Sequence, residues 1–191
     1  MQLFEILDKT AEFWRPLLGF MDIHGNVVIE PQFLQNSRGL GRHFSDAGYA
    51  LVQRPGEKHH MVINTLGETV LELPNDHQPV AFTPPDEHGI FGVMHQVDAD
   101  NKDLWHLDGR DWVFQGETNY YAMRLDGCIA FEAYLSDAIS GHYVFSNSGK
   151  INDKKGLMHH EGQTVLPPIY DAIYLSRKGF YATAMVIPPA N

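Results

Sequence analysis

Leu157-Met158-His159-His160-Glu161-Gly162-Gln163-Thr164-Val165-Leu166-Pro167-Pro168 consists of two short apolar runs on either side of a glycine turn, and the chain repeats this pattern. Phe20-Met21-Asp22-Ile23-His24-Gly25-Asn26-Val27-Val28-Ile29-Glu30-Pro31 has the same form, and so has Val62-Ile63-Asn64-Thr65-Leu66-Gly67-Glu68-Thr69-Val70-Leu71. Self-similarity at a period of about forty residues implies stacked supersecondary units rather than one irregular enzyme core. Gly67 lies 42 residues after Gly25, and Asp108-Gly109 lies a further 42 on. Asp126-Gly127 is a second candidate for the third copy, because Cys128 to Tyr134 follows the pattern of Asn26 to Phe33. Only 35 residues separate Gly127 from Gly162, so either one unit is shortened or an extra hairpin is inserted. Asp-Gly is a strong hairpin dipeptide in both places, since its glycine readily takes positive φ.

Each unit has an internal order. After the glycine hairpin comes an extended stretch with an aromatic residue, Phe33, Tyr134 or Tyr170. A glycine-led strand follows, beginning at Gly48, Gly141 or Gly179, and a second turn closes the unit at Pro55-Gly56 and Ser148-Gly149. Ahead of the repeats, Leu3, Ile6, Leu7, Ala11 and Trp14 fall at helical spacing, and Pro16 should end that helix. The expected fold is all-β: antiparallel β-hairpin repeats over 17–191, stacked or propeller-like, with one N-terminal helix over 1–16, in a single domain.

These units resemble the WG repeat, a β-rich bacterial repeat named for a Trp-Gly pair. Leu18-Gly19-Phe20-Met21-Asp22 with Ile29-Glu30-Pro31-Gln32-Phe33 is one match, and Lys155-Gly156-Leu157-Met158 with Val165-Leu166-Pro167-Pro168-Ile169-Tyr170-Asp171 is the best. Gly67 and Gly127 mark weaker copies, and the places of the tryptophan hold Leu18, His60 and Lys155. The resemblance implies an interaction module and brings no catalytic residues with it.

Bulk properties narrow the function classes. The 191 residues are 43% hydrophobic, enough for a real core, and the formal charge is −10. So acidic a chain repels nucleic acid as a whole and attracts basic partners by long-range steering. The one cysteine, Cys128, cannot form an internal disulfide. Early charges interrupt any secretory hydrophobic segment, and no apolar run is long enough to span a membrane. A cytoplasmic protein is the expectation.

The eleven histidines raise a metal or general-base reading. The adjacent pairs His59-His60 and His159-His160 are poor chelates if they lie in strands, where neighbours point to opposite faces. No His-Glu-x-x-His and no Cys/His ligand spacing occurs, so solvated or packed histidines are expected, the two adjacent pairs in ordinary exposed positions, with no metal, cofactor or catalytic residue. Asp98 to Asp103 has a calcium-loop flavour but places Lys102 inside the loop and lacks the glycine and the terminal glutamate. A solvated hairpin tip is the simpler reading. Cys128 reads as a packed strand residue beside Ile129, Ala130 and Phe131.

Charge placement is more informative. Between Glu72 and Asp111 nine acids face only Lys102 and Arg110, and the same stretch carries Phe82, Phe91, Trp105 and Trp112. Aromatic anchors rimmed by carboxylates suit an interface with a basic protein. The expected partner-binding residues are Asp86, Glu87, Asp98, Asp100, Asp103, Trp105, Asp108, Asp111 and Trp112. The leading expectation is a non-catalytic immunity protein or antitoxin that occludes a basic toxin domain, such as a nuclease delivered by contact-dependent growth inhibition. The alternatives are a WG-repeat scaffold or peptide-binding module, and a hydrolase or metal enzyme built from distant histidines and aspartates.

Overall fold

The computed structural model describes residues 4–8, 16–34, 43–80, 85–98, 100, 105–108, 111–139, 141–147, 153–176 and 179–184. These residues are all-β, with no helix among them. The first unit comprises β1 (Phe4–Asp8), β2 (Leu17–Met21) and β3 (Val27–Leu34), and the second comprises β4 (Tyr49–Val52), β5 (Met61–Asn64) and β6 (Thr69–Glu72). The third holds β7 (His77–Pro79), β8 (Ile90–Gln96), β9 (Trp105–Asp108), β10 (Asp111–Phe114), β11 (Thr118–Arg124) and β12 (Ile129–Phe131). The fourth is β13 (Tyr134–Ile139), β14 (His142–Ser146), β15 (Lys155–His159) and β16 (Thr164–Tyr170), and the hairpin β17 (Ala172–Ser176) with β18 (Gly179–Thr183) ends the series. Every pairing is antiparallel, and none of the six sheets closes on itself.

One hairpin design recurs. At Asp22, Asn64, Asp86, Arg124 and His159 the carbonyl accepts the amide of a glycine three residues on: Gly25, Gly67, Gly89, Gly127 and Gly162. Those glycines have φ between 70° and 87°, the left-handed region that closes a type I turn with a bulge. At Asp22, Asn64 and Asp86 the side-chain oxygen accepts two further amides of the same loop. Residue type therefore fixes the turn, and the turn fixes the strand register.

Alternation along the strands explains the stacking. Ala50, Val52, Met61 and Ile63 of the second sheet pack on Leu18, Phe20, Ile29 and Phe33 of the first. Their neighbours Leu51 and Val62 point the other way, onto Phe91, Val93 and Met123 of the third. Ile90 and Ala122 then meet Tyr143, Phe145 and Met158 of the fourth sheet, whose Val144 and Leu157 cover Ile173 of the terminal hairpin. Each internal sheet buries both faces between its two neighbours, as in a repeat stack.

Two sequence expectations change here. The N-terminal helix is not present over residues 4–8, which form β1 paired from Phe4↔Met21 to Asp8↔Leu17; residues 1–3 and 9–15 of that helix lie outside the described residues. Pairing with the free edge of β2 outweighs a local helical preference of a few tenths of a kcal/mol per residue. Eight residues separate β1 from β2, β4 from β5 and β14 from β15, so β1 is the repeat's own first strand. The repeat register is also settled. The third hairpin glycine is Gly127, not Gly109, and the excess length lies between β8 and β11, where 21 residues replace eight.

Candidate partner-binding surface and histidine clusters

The 21-residue insertion, 97–117, carries most of the sequence-predicted surface. Its base is closed by the Val97 amide donating to the Glu117 carbonyl at 3.0 Å, next to the Gln96↔Thr118 pair. Within it, β9 and β10 form a separate two-stranded hairpin in which Trp105 pairs with Phe114, Leu107 with Trp112, and Asp108 with Asp111. Asp98, at φ 55°, and Asp100 are exposed in the turn that leaves β8. Asp103 lies outside the described residues. Six acids in the insertion face Lys102 and Arg110 alone.

Asp86 and Glu87 lie elsewhere, in the turn before β8. The Asp86 carboxylate is engaged within the chain: Oδ1 accepts the His88 and Ile90 amides, and Oδ2 accepts the Tyr143 hydroxyl at 2.5 Å. Burial and this acceptor push the Tyr143 hydroxyl far above its ordinary pKa, so it stays a donor. Glu87 is exposed beside them, 3.6 Å from His88. Of the aromatics in the acidic stretch, Phe91 is a core residue, 1% exposed, and Phe82 lies outside the described residues.

The histidines are less ordinary than their sequence positions imply. At the junction of the third and fourth units the His88 and His160 rings stack at 3.9 Å, His159 lies 4.0 Å from His160, and His142 lies 5.2 Å from His159. His160 follows the end of β15, so strand alternation no longer separates it from His159. Gly141 makes the stack possible: at its φ of 71°, a Cβ would stand 2.7 Å from His88 Nε2. Loss of hydration, then the neighbouring imidazoles, lowers the His160 pKa.

His60 also departs from the exposed reading. It is buried, 7% exposed, and neither ring nitrogen has a hydrogen-bond partner. Burial depresses its pKa to about 4. Cys128 departs in the other direction: it is exposed in the third hairpin turn, where its amide donates to Asp126 Oδ1.

A third group combines two imidazoles and a carboxylate. His77 and His95 are direct cross-strand partners in β7 and β8, with rings stacked at 4.6 Å. Asp76 sits between them, with Oδ1 2.8 Å from His77 Nδ1 and Oδ2 3.1 Å from His95 Nε2. The hydrogen bond from His77 holds the Asp76 carboxyl below the ordinary carboxylate range. Among the described residues, only these three place one ligand atom each within 4.8 Å of one another. The sequence reading missed them because it weighed chain neighbours, whereas His95 lies 18 positions after His77.

Two stretches have a further feature in common. At Gly19 a Cβ would lie 2.6 Å from the Ile29 carbonyl oxygen and 2.6 Å from the Pro31 nitrogen, so only glycine admits β3 this close. At Gly156 it would lie 2.5 Å from the Phe145 ring and 2.9 Å from the Leu166 oxygen. Opposite each of them the pairing slips an extra time, around Gly19 in β2–β3 and around Gly156 in β15–β16. The family model described as "WG containing repeat" matches residues 19–33 and 156–189, the two stretches that open on these glycines. The chain carries WG repeats in these two stretches.

Among curated proteins and among solved structures, nothing matches. The glycine of the WG pair has a visible task in these repeats: it makes room for the bulged return strand. Met61 and Tyr121 occupy its place in the second and third units, and there β5–β6 and β11–β12 slip only once. The tryptophan's place is held by Leu18 and Lys155 in the matched units and by His60 and Tyr120 in the others.

Proposed function

We propose that this protein is a non-catalytic, stoichiometric binder of a basic protein, and that the insertion between β8 and β11 is its recognition element. The observation that carries the reading is positional. Eight residues connect β1 to β2, β4 to β5 and β14 to β15, while the equivalent connection from β8 to β11 uses 21, rich in acids and with two tryptophans. Insertions in a repeat array project as loops from a fixed scaffold, where they can diversify without disturbing the stack. The insertion carries Asp98, Asp100, Asp103, Trp105, Asp108, Asp111 and Trp112 in its sequence, and these are the proposed contact residues; Asp86 and Glu87 lie in the turn at the other end of β8.

The finer reading is an immunity protein or antitoxin acting in the cytoplasm. Its acidic insertion covers the basic, substrate-binding cleft of a toxin domain of the nuclease kind, and inhibition follows from charge complementarity and occlusion. A free, exposed Cys128 accords with a reducing compartment. The test is a pull-down from the native host at low salt with the tagged chain. Recovery of one basic protein near one-to-one, released by salt, is expected. Replacing Asp98, Asp100 and Asp103 with lysine should weaken that complex at least about tenfold while circular dichroism stays unchanged. Unchanged affinity would remove the insertion from the interface.

A further inference from the structure

We propose that Asp76, His77 and His95 form a binding site for a divalent transition-metal cation of borderline softness, with Zn2+ the first candidate. Two imidazole nitrogens and one carboxylate oxygen are a donor set suited to Zn2+, Ni2+ or Cu2+, and unsuited to Ca2+ or Mg2+, which take oxygen almost exclusively. The inference stands apart from the protein-binding reading, since the group lies on the sheet formed by β7 and β8 and outside the insertion.

The fold brings the three donors together for definite reasons. Residues paired across an antiparallel ladder project to the same face, so the His77↔His95 register sets two imidazoles side by side. Asp76 belongs to the turn that precedes β7, where strand alternation does not apply, and its carboxylate can therefore reach both rings. Its own carbonyl accepts the Gln96 amide at 3.1 Å, which anchors the turn against the end of β8. Val93, two residues from His95, is fully buried, and the Tyr121 ring stands 6.3 Å from His77 and 6.4 Å from His95. The donors thus sit on a packed strand pair rather than on a loose loop.

The spacing is close to what a cation needs. Donor atoms lie within 4.8 Å of one another. Bonds of about 2.0–2.1 Å in a tetrahedron put ligand atoms about 3.4 Å apart, a contraction that side-chain rotations can supply. Access is open: the side chains of Asp76, His77 and His95 are 47%, 16% and 25% exposed. Three protein donors leave a fourth position for water. On binding, the cation replaces the two contacts that the carboxylate makes to ring nitrogens, and the imidazoles must be neutral, so affinity falls as the solution is acidified.

The experiment uses the full chain, stripped with a chelator and titrated at neutral pH with Zn2+ in a calorimeter and with Co2+ as a visible-absorption probe. The site predicts saturation at about one equivalent and an intense Co2+ spectrum of the four-coordinate type. His77→Gln, His95→Gln and Asp76→Asn should each weaken binding about tenfold or more. His159→Gln should leave it unchanged. Should a variant fail to fold, the wild-type chain still decides, because Co2+ must shift and broaden the ring resonances of His77 and His95 first. Absence of saturable binding, or resonance shifts confined to His88, His159 and His160, would overturn the proposal.

Discussion

At the scale of single residues, two positions show how the repeat is specified and where it has drifted. Gly19 faces backbone, with nothing flexible to move aside. Gly19→Ala should therefore destabilise the fold by about 1–3 kcal/mol, the range of overpacked core sites, and a urea melt measures it. His60 occupies the tryptophan's place, buried without hydrogen bonds and with its pKa lowered to about 4. In the unfolded chain an imidazole titrates near 6.5, so the unfolded state takes up its proton first. The native state is favoured fully above that value, and the advantage is lost as pH falls from about 6.5 toward 4. From pH 7 to pH 5 the His60 contribution to that loss is about 2 kcal/mol. Leu18 fills the equivalent place in the first unit, so His60→Leu should stabilise the protein at neutral pH and remove that share of the acid sensitivity. Equal losses in the wild-type and the variant between the two pH values would contradict the assignment.

At the scale of elements, the sequence displayed the hairpins clearly, because their information is local. Asp22, Asn64, Gly25 and Gly67 carry the turn chemistry, and alternating apolar residues carry the strands. What escaped was whatever depends on partners distant in sequence. Residues 4–8 have helical spacing and become a strand because β2 offers an edge. Gly109 imitates the repeat period because the inserted hairpin happens to have a suitable length, and only the pairing of β8 with β11 reveals Gly127 as the true third copy. The histidine groups were invisible for the same reason: His88 meets His160, and His77 meets His95, across ladders and unit junctions. The acidic stretch, by contrast, is a cluster in the sequence itself: seven of its nine residues fall in the chain between β8 and β11, and Asp86 and Glu87 lie in the turn before β8.

At the scale of the whole molecule, the four buried clusters in series predict how stability is distributed. Each sheet is held by its neighbours, so damage should stay near its source. Leu157 is fully buried between the fourth sheet and the terminal hairpin. Leu157→Ala should cost about 2–5 kcal/mol. Amide exchange should accelerate most in β14 to β18 and least in β2 and β3; uniform acceleration would indicate one undivided cooperative core. The same modularity makes the insertion separable from the scaffold, since Val97 and Glu117 already close its base by a backbone hydrogen bond.

The most direct measurement is therefore partner binding by a chain in which residues 99–116 are replaced by a short Gly-Ser turn, compared with the full chain at low and high salt. The shortened chain should keep its β-sheet circular dichroism and a cooperative melt, while the salt-sensitive complex with the basic protein disappears. A shortened chain that is folded and still binds as tightly as the full one would contradict this expectation.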